Sequence, residues 1–484
     1  MKLKGLEPTA LWNHFENLNA VPRPSKKEEK VIAFMVDFGK QLGLETLTDS
    51  VGNIIIKKPA TQGMESRETV IMQSHVDMVH QKNNDTVFDF ENEGIKMLVD
   101  GDWVKAEGTT LGADNGIGVA AIMAVLSSKD IPHPAIEAMF TVDEETGMTG
   151  AKELDPSFYE GTILLNLDTE EDDELSIGCA GGIDTNTSYN YQEADLPEGN
   201  WFTFKIGVKG LVGGHSGMDI HRGRGNANKL LTRLLFECPV RFCLHKFQGG
   251  GLRNAIPREA EAYISVLEEQ KQELLNFVQS QFETYKNELS PVEPNLTVFV
   301  EEALAKQKIV PESECKRMLQ TLYAVHNGVF KMSLTMDDLV ETSSSLAQVK
   351  IAEGSFETKS LQRSSVESTK NDVANAIRAP FELFGANVEQ SGDYPGWEPN
   401  PNSPLLKLMI AIYEENFEGS PRVLAGHAGL ECGILGQHLP NVDMISFGPT
   451  IRFAHSPDEC VQISSVLKFW EYLKKVLASI PEKV

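Results

Sequence analysis

The chain has 484 residues, more than one hydrophobic core normally serves, and its 41% hydrophobic and 24% charged residues are those of a globular protein with two domains. No stretch approaches a membrane span, the start MKLKGLEPTALWNHF lacks the apolar core of a signal peptide, and the six cysteines show no CxxC spacing, so a cytoplasmic protein with reduced thiols is expected. A formal net charge of -26 argues against a nucleic-acid partner and is compatible with a site that gathers divalent cations.

Helical periodicity opens in KKEEKVIAFMVDFGKQLGLE, with Pro24 and Ser25 as start signals. A hairpin follows, turning at DSVGN into the strand IIIKK. Next come a strand in ETVIMQSHVD, a helix in GADNGIGVAAIMAVLSS, and strands in AIEAMFTVD and GTILLNLD. Strands alternating with helices predict an α/β sheet carrying parallel strands.

The polar run at 182–200 reads as a linker. Beyond it the pattern predicts strands 202–209, 240–246, 259–267 and 295–301, with helices 223–237 and 268–288. A similar series follows: helix 311–325, strands near 328–334, 339–352 and 354–363, helix 367–384 and strand 385–391. It hints at a duplicated α+β unit. SGDYPGWEPNPNSP marks a second boundary, after which helix 403–415, strand 442–447 and helix 463–479 return to the α/β pattern. The expected organisation is a catalytic domain of mixed α/β sheet over 1–184 and 397–484, with an inserted α+β domain over 185–396.

Polar side chains recur at the ends of the apolar strands: His75, Asp77, Asp114, Glu144, Glu145, Asp168 and His455. In open α/β sheets ligands bind outside the carboxyl ends of the strands, so one mouth could collect all seven. Taken singly, each has a plainer reading. Asp114 could be a helix N-cap, Asp168 a solvated loop start, His455 an exposed loop histidine, and His75 with Asp77 a surface strand end. Their joint occurrence points to a metal centre. In HVD, residues two apart face the same way, so Asp77 can hold the second nitrogen of a ligating His75.

Charge supports this. Two Zn²⁺ would be balanced by the carboxylates of Asp114, Glu145 and Asp168 and one hydroxide, with neutral His75 and His455 completing the site. Oxygen and nitrogen donors suit zinc, with Mn²⁺ or Co²⁺ as substitutes. Asp114, with two oxygens, is the natural bridge. Adjacent Glu144 and Glu145 point in different directions, so Glu145 can turn to a metal while Glu144 stays free as general base.

The motifs SHVDMV, GADNGIG, DEETGMTGA, NLDTE, GGHSGMDI, GRGNANKLL, GHAGLECG and AHSPDE resemble, over nearly the whole chain, the aminoacyl-histidine dipeptidase (peptidase D) type of the dizinc peptidase family that includes carnosinase and carboxypeptidase G. The resemblance implies a dizinc aminopeptidase-like domain with an inserted lid or dimerisation domain. It implies that His75 and Asp168 bind one zinc, Glu145 and His455 the other, and Asp114 bridges them, with a cis Asp114–Asn115 bond. It further implies that His215 reaches the substrate carbonyl, and that Asn254 and Arg363 grip the substrate, although Arg363 also reads as an exposed strand arginine. Gly426 and His427 read as the start of a helix whose free amides suit a carboxylate.

The implied reaction is metal-assisted hydrolysis of dipeptides, Xaa-His and β-alanyl-histidine among them, by an enzyme expected as a homodimer. The rivals are a dipeptidase of other specificity, an N-acyl amino acid deacylase, a metal-dependent phosphoesterase, and a non-catalytic metal-binding protein.

Overall fold

The apolar runs of the first third of the chain become strands of one mixed sheet in the computed structural model, which describes residues 3–483. Across the sheet the order is Glu45–Thr48, Ile54–Lys58, Ile136–Thr141, Val70–His75, Ile163–Asn166, Asp443–Ser446, Glu174–Cys179 and Arg422–Gly426. Four neighbours in the middle, from Ile136–Thr141 to Asp443–Ser446, run parallel. Every residue of the first three of these is buried, and burial on both faces is why they read as unbroken apolar runs.

The predicted hairpin forms as an antiparallel pair. Its turn is held by Asp49, whose Oδ1 accepts the amides of Val51, Gly52 and Asn53 at 3.1, 3.0 and 2.9 Å. Helix Ala113–Ser127 is apolar nearly all round and buried along its length. Helix Thr9–Asn19, which the periodicity reading did not include, packs against it and buries Leu11, Trp12, Phe15 and Leu18. The next helix, Glu29–Gln41, starts after Glu28 rather than at Pro24 or Ser25. Ser25 caps nothing there, because its hydroxyl donates to Asp77 at 2.8 Å.

The chain divides into two units. The first holds the residues up to Gly178, Pro399–Ala425 and those from Leu430 onward; the second holds Cys179–Glu398 with Gly426–Gly429. The first division lies before the run 182–200, whose early part is no linker. Gly181–Asn190 is a strand paired on both edges, to Ser355–Ser364 and to Asn387–Tyr394. Its Thr and Asn residues hide it from a hydrophobicity reading, since its cross-strand contacts are polar: Thr185 to Gln362 at 2.6 Å and Thr187 to Thr358 at 2.6 Å.

The second unit carries a large antiparallel sheet covered by four helices over an apolar core, beside a short two-stranded pair, Ala194–Asp195 with Lys308–Ile309. Its order is Thr297–Glu302, Trp201–Lys209, Ala260–Leu267, Phe242–Gly249, Val340–Ala352, Ser355–Ser364, Gly181–Asn190, Asn387–Tyr394. Read in halves, this is one topology twice. Trp201–Lys209, helix Ala227–Phe236, Phe242–Gly249, Ala260–Leu267, helix Lys271–Leu289 and Thr297–Glu302 make a β-α-β-β-α-β unit. Gly181–Asn190, helix Glu312–Ala324, Val340–Ala352, Ser355–Ser364, helix Glu367–Phe384 and Asn387–Tyr394 make the second. The halves join through their second strands, which pair antiparallel from Phe247↔Ile351 to Gly249↔Val349. Among the described residues, no helix is long and apolar enough to cross a membrane.

Candidate metal centre

Strand Val70–His75 ends on a buried imidazole. His75 Nε2 lies 3.1 Å from Asp114 Oδ1 and 3.5 Å from Asp168 Oδ1. On the other side of Asp114, its Oδ2 lies 3.2 Å from His455 Nε2, which is 3.0 Å from Glu145 Oε2. The carboxylate of Asp114 thus stands between two sets of donors, His75 with Asp168 and His455 with Glu145. The five residues are widely separated in sequence, and all belong to the first unit.

The local backbone explains how they meet. Asp114 sits at the head of helix Ala113–Ser127 but has extended dihedrals (φ -79°, ψ 111°), so its side chain faces the imidazoles instead of capping the helix. The Asp114–Asn115 peptide is cis. Asn115 Nδ2 donates to Leu167 O at 2.6 Å, tying this turn to the segment that carries Asp168. After strand Ile136–Thr141, Asp143 adopts a left-handed φ of 56°, and the Glu144 and Glu145 that follow it donate their amides to the two oxygens of Asp77. Phe453 and His455 are also left-handed, at 57° and 64°. Bulky residues in that region store strain, which collects at functional sites.

Asp77 serves both sides of the centre. Its Oδ1 is 3.3 Å from His75 Nδ1, without hydrogen-bond alignment. Its two oxygens also accept the amides of Glu144 at 3.1 Å and Glu145 at 3.3 Å. One buried carboxylate therefore orients a histidine and the paired glutamates together.

Whether a metal fits is decided by unsatisfied donors. Glu145 Oε1 and Asp168 Oδ1 are buried without hydrogen-bond partners, and ligand atoms of His75, Asp114 and Glu145 lie within 4.8 Å of one another. Buried polar atoms rarely stay unpaired, and nitrogen and carboxylate donors at this spacing suit divalent cations. The residues fit the group.

The electrostatics agree. Burial opposes a charge on His75, yet Asp168 and Asp114 outweigh it and raise its pKa well above the usual value. His455 is pushed up to about 11 by hydrogen bonds to Asp114 and Glu145. These shifts favour the protonated imidazoles in the metal-free protein, whereas a metal requires them neutral. Zn²⁺ binding at pH 7 is expected to release protons, that of His455 among them, with affinity rising as pH rises. Titration calorimetry in buffers of different ionisation enthalpy measures the release. Glu144 has its pKa raised well above the ordinary carboxyl value, by burial first and then by the charges of Asp168, Glu431 and Glu145, with His75 opposing.

Beneath the strand ends runs a polar layer whose residues were given no role from the sequence. Glu431, fully buried, accepts from Gln73 Nε2 and Thr141 Oγ1, each at 2.7 Å. Asn166 donates to the same Gln73. Gln73 and Asn166 stand two positions before His75 and Asp168, inside runs that read as plain core. Arg23 and Glu459, likewise unread, hold the turn that carries Asp114 and are treated below.

The profile of peptidase family M20/M25/M40 matches residues 71–479. The chain belongs to that family. It is a metal-dependent hydrolase with the M20 peptidase fold and its mixed sheet. This M20 peptidase is 43% identical over 486 residues to the cytosol non-specific dipeptidase of Escherichia coli (strain K12), covering 100% of both chains. Its structure matches that of aminoacylhistidine dipeptidase from Vibrio alginolyticus with a TM-score of 0.96 and 42% identity, over 100% of this chain and 99% of that one. Aminopeptidase PepT from Bacillus cereus shares the fold at a TM-score of 0.57 and 16% identity, over 98% of this chain and 99% of that one.

The remaining predicted residues lie in the second unit. His215 Nδ1 accepts the amides of Gly217 at 3.1 Å and Met218 at 3.0 Å, which leaves the proton on Nε2. Burial and nearby Arg363 lower its pKa, so it is a neutral donor. Asn254 stands beside it: its carbonyl accepts from Ser216 N at 2.8 Å, and its side chain belongs to an exposed residue. Arg363 is not an exposed strand arginine. It is only 5% exposed, donates from Nη1 to Tyr394 Oη at 2.9 Å, and keeps Nε buried without an acceptor. Among the described residues no ion pair joins it to a carboxylate.

Gly426 and His427 do not begin a helix. Gly426 ends strand Arg422–Gly426 and the helix starts at Glu431, so no helix-terminal amides stand at these two residues. The His427 ring is already engaged: Nε2 is 2.7 Å from Ser343 Oγ, and burial with the charge of Arg363 lowers its pKa to about 3.

Proposed function

We propose that this M20 peptidase is a cytoplasmic dipeptidase holding two zinc ions, with Xaa-His dipeptides, including β-alanyl-histidine, among its substrates. The observation that carries the reading is Asp114, whose two oxygens face two separate histidine-carboxylate pairs while Glu144 stays outside both. His75 and Asp168 would hold one ion, Glu145 and His455 the other, and Asp114 both, with Mn²⁺ or Co²⁺ as substitutes. When bound, the ions acidify water to near neutrality and polarise the scissile carbonyl.

The chain's own residues supply the rest. Glu144, with its raised affinity for a proton, accepts one from the attacking water and returns it to the departing amine. Asp77 holds His75 and the backbone of Glu144 in register. His215, neutral with its proton on Nε2, is a donor suited to the developing oxyanion. Arg363 suits the C-terminal carboxylate of a short peptide. Asn254 and Gly426 are proposed as further substrate contacts, and His427 as a residue that fixes the pocket through Ser343. The second unit is proposed as a lid that limits substrate length. A homodimer is the proposed oligomer, and the duplicated halves of the second unit support His215 acting within its own chain. The names of the Escherichia coli and Vibrio relatives support the dipeptide class and the compartment.

The test is hydrolysis of a panel by the Zn²⁺-loaded protein, with metal content read by mass spectrometry. Free dipeptides, with Xaa-His among them, are expected to be cleaved. Amidating the C-terminus removes the charge that Arg363 would meet, and about 1.5–3 kcal/mol, roughly 10- to 150-fold in kcat/KM, is expected to be lost. Cleavage of N-acyl amino acids in preference to dipeptides would replace this reading with that of a deacylase.

A further inference from the structure

Three of the chain segments that carry candidate metal ligands are cross-linked by two buried ionisable side chains, Arg23 and Glu459. Arg23, 1% exposed, stands between the first two of these segments. Its Nη1 donates to Val76 O at 3.1 Å and Asp77 O at 3.0 Å, next to His75. Its Nη2 donates to Gly112 O at 2.6 Å and to Asn19 Oδ1 at 3.0 Å. The guanidinium fills the space where side chains at Gly112 and Gly116 would stand, since a Cβ at either would lie 2.5 Å from Nη2. That close approach, together with a φ of 69° at Gly112, is the physical need for glycine on both sides of the ADN triplet.

Glu459, 2% exposed, grips the same turn from the amide side. Its Oε2 accepts from Leu111 N at 2.7 Å and Gly112 N at 2.9 Å. Its Oε1 accepts from Ala113 N at 2.7 Å and Asp114 N at 3.2 Å. Four consecutive backbone donors converge on one carboxylate, on a segment four residues beyond His455. Burial lowers the Arg23 pKa to about 10, opposed first by the charge of Glu459, so the guanidinium stays charged at neutral pH.

We propose that Arg23 and Glu459 are positioning residues for the metal centre: one takes the carbonyl of the turn before Asp114, the other takes its amides, and together they set the spacing of Asp114 from the segments of His75 and His455. The proposal rests on the reading that His75, Asp114, Glu145, Asp168 and His455 hold metal. Residues outside the coordination sphere that orient ligands usually change metal affinity by about 10- to 100-fold when replaced. The rigid fork of Arg23 reaches two chain segments at once, which the single ammonium of lysine cannot reproduce.

The test compares the parent with Glu459→Gln, Arg23→Met and Arg23→Lys. Zn²⁺ affinity is read by mass spectrometry after dialysis against buffered Zn²⁺, the visible spectrum is read on Co²⁺-loaded protein, and melting is followed with and without Zn²⁺. Glu459→Gln and Arg23→Met are expected to lose about 10- to 100-fold in Zn²⁺ affinity and to alter the Co²⁺ spectrum, with Arg23→Lys intermediate. The rise in melting temperature on adding Zn²⁺ should shrink. A merely structural role would lower both melting temperatures alike and leave affinity and spectrum at parent values, and that result overturns the proposal. Should Glu459→Gln or Arg23→Met fail to fold, Arg23→Lys decides, with parental Zn²⁺ affinity and spectrum overturning it. A parent that retains no Zn²⁺ overturns the metal-centre reading and this proposal together, whereas a parent that retains it beside unaffected variants overturns this proposal alone.

Discussion

Replacing Glu144 with glutamine is expected to reduce kcat by about 10²–10⁴-fold while leaving bound Zn²⁺ at the parental level. The two readouts separate because of where the side chain stands. The carboxylates that approach the imidazoles are those of Asp114, Asp168 and Glu145, and Glu144 makes none of those contacts. Glutamine keeps nearly the same volume and the backbone amide held by Asp77, but it cannot accept a proton. Burial and the surrounding negative charge raise the proton affinity of the native carboxyl, which suits a group that must take a proton from water and return it to an amine. Loss of metal along with activity would instead make Glu144 a ligand. Retention of both would end its role as base.

Asp114→Ala is expected to be more severe, because one side chain faces both halves of the centre. Without it, two divalent cations would be opposed only by the carboxylates of Glu145 and Asp168 and one hydroxide, an excess of buried positive charge that disfavours the second ion. Metal content should fall to at most about one ion per chain, and kcat/KM by about 10³-fold or more, since several kcal/mol of transition-state stabilisation go with the ions. Mass spectrometry of the dialysed protein and single-turnover hydrolysis measure the two effects. An Asp114→Ala protein that kept two ions would show that the carboxylate is no bridge.

Much of this candidate centre was legible because its proposed ligands obey a positional rule. In a sheet with parallel inner strands the chemistry gathers at the carboxyl ends, and the acids and histidines that terminate apolar runs stand out from the core that precedes them. His75, Glu145 and Asp168 could be found that way, and Asp114 by its glycine-flanked turn. Arg23 and Glu459 could not. Their partners are backbone atoms far along the chain, and a hydrogen bond to a carbonyl or an amide leaves no side-chain pattern to read. Glu431, Gln73 and Asn166 escape for a related reason, since buried polar residues that satisfy one another look like ordinary interruptions of a core.

In the second unit, helix 367–384 was predicted at its observed ends, whereas the strand Gly181–Asn190 was read as a linker. The helix displays its apolar face at helical spacing. The strand is held by hydroxyl and amide contacts between neighbours, and without alternation of apolar and polar residues it resembles irregular chain. Arg363 illustrates the same limit. Its position on a strand was legible, but whether that strand faced solvent was not, because one of its two neighbours in the sheet, Gly181–Asn190, comes from a remote part of the sequence.

The arrangement of the two β-α-β-β-α-β halves bears on the history of the protein. The chain enters the second unit at Cys179 and leaves it near Trp397, and these two residues exchange backbone hydrogen bonds of 3.0 and 2.9 Å. Entry and exit points that touch make a module that can be spliced into a host loop with almost no stretching of the host, since the host sees only a short gap. Within the module the pattern repeats, because the first half is threaded between the opening strand and first helix of the second. Two successive acquisitions, each placed where chain ends already met, would build such a molecule without dismantling the older sheet at any stage.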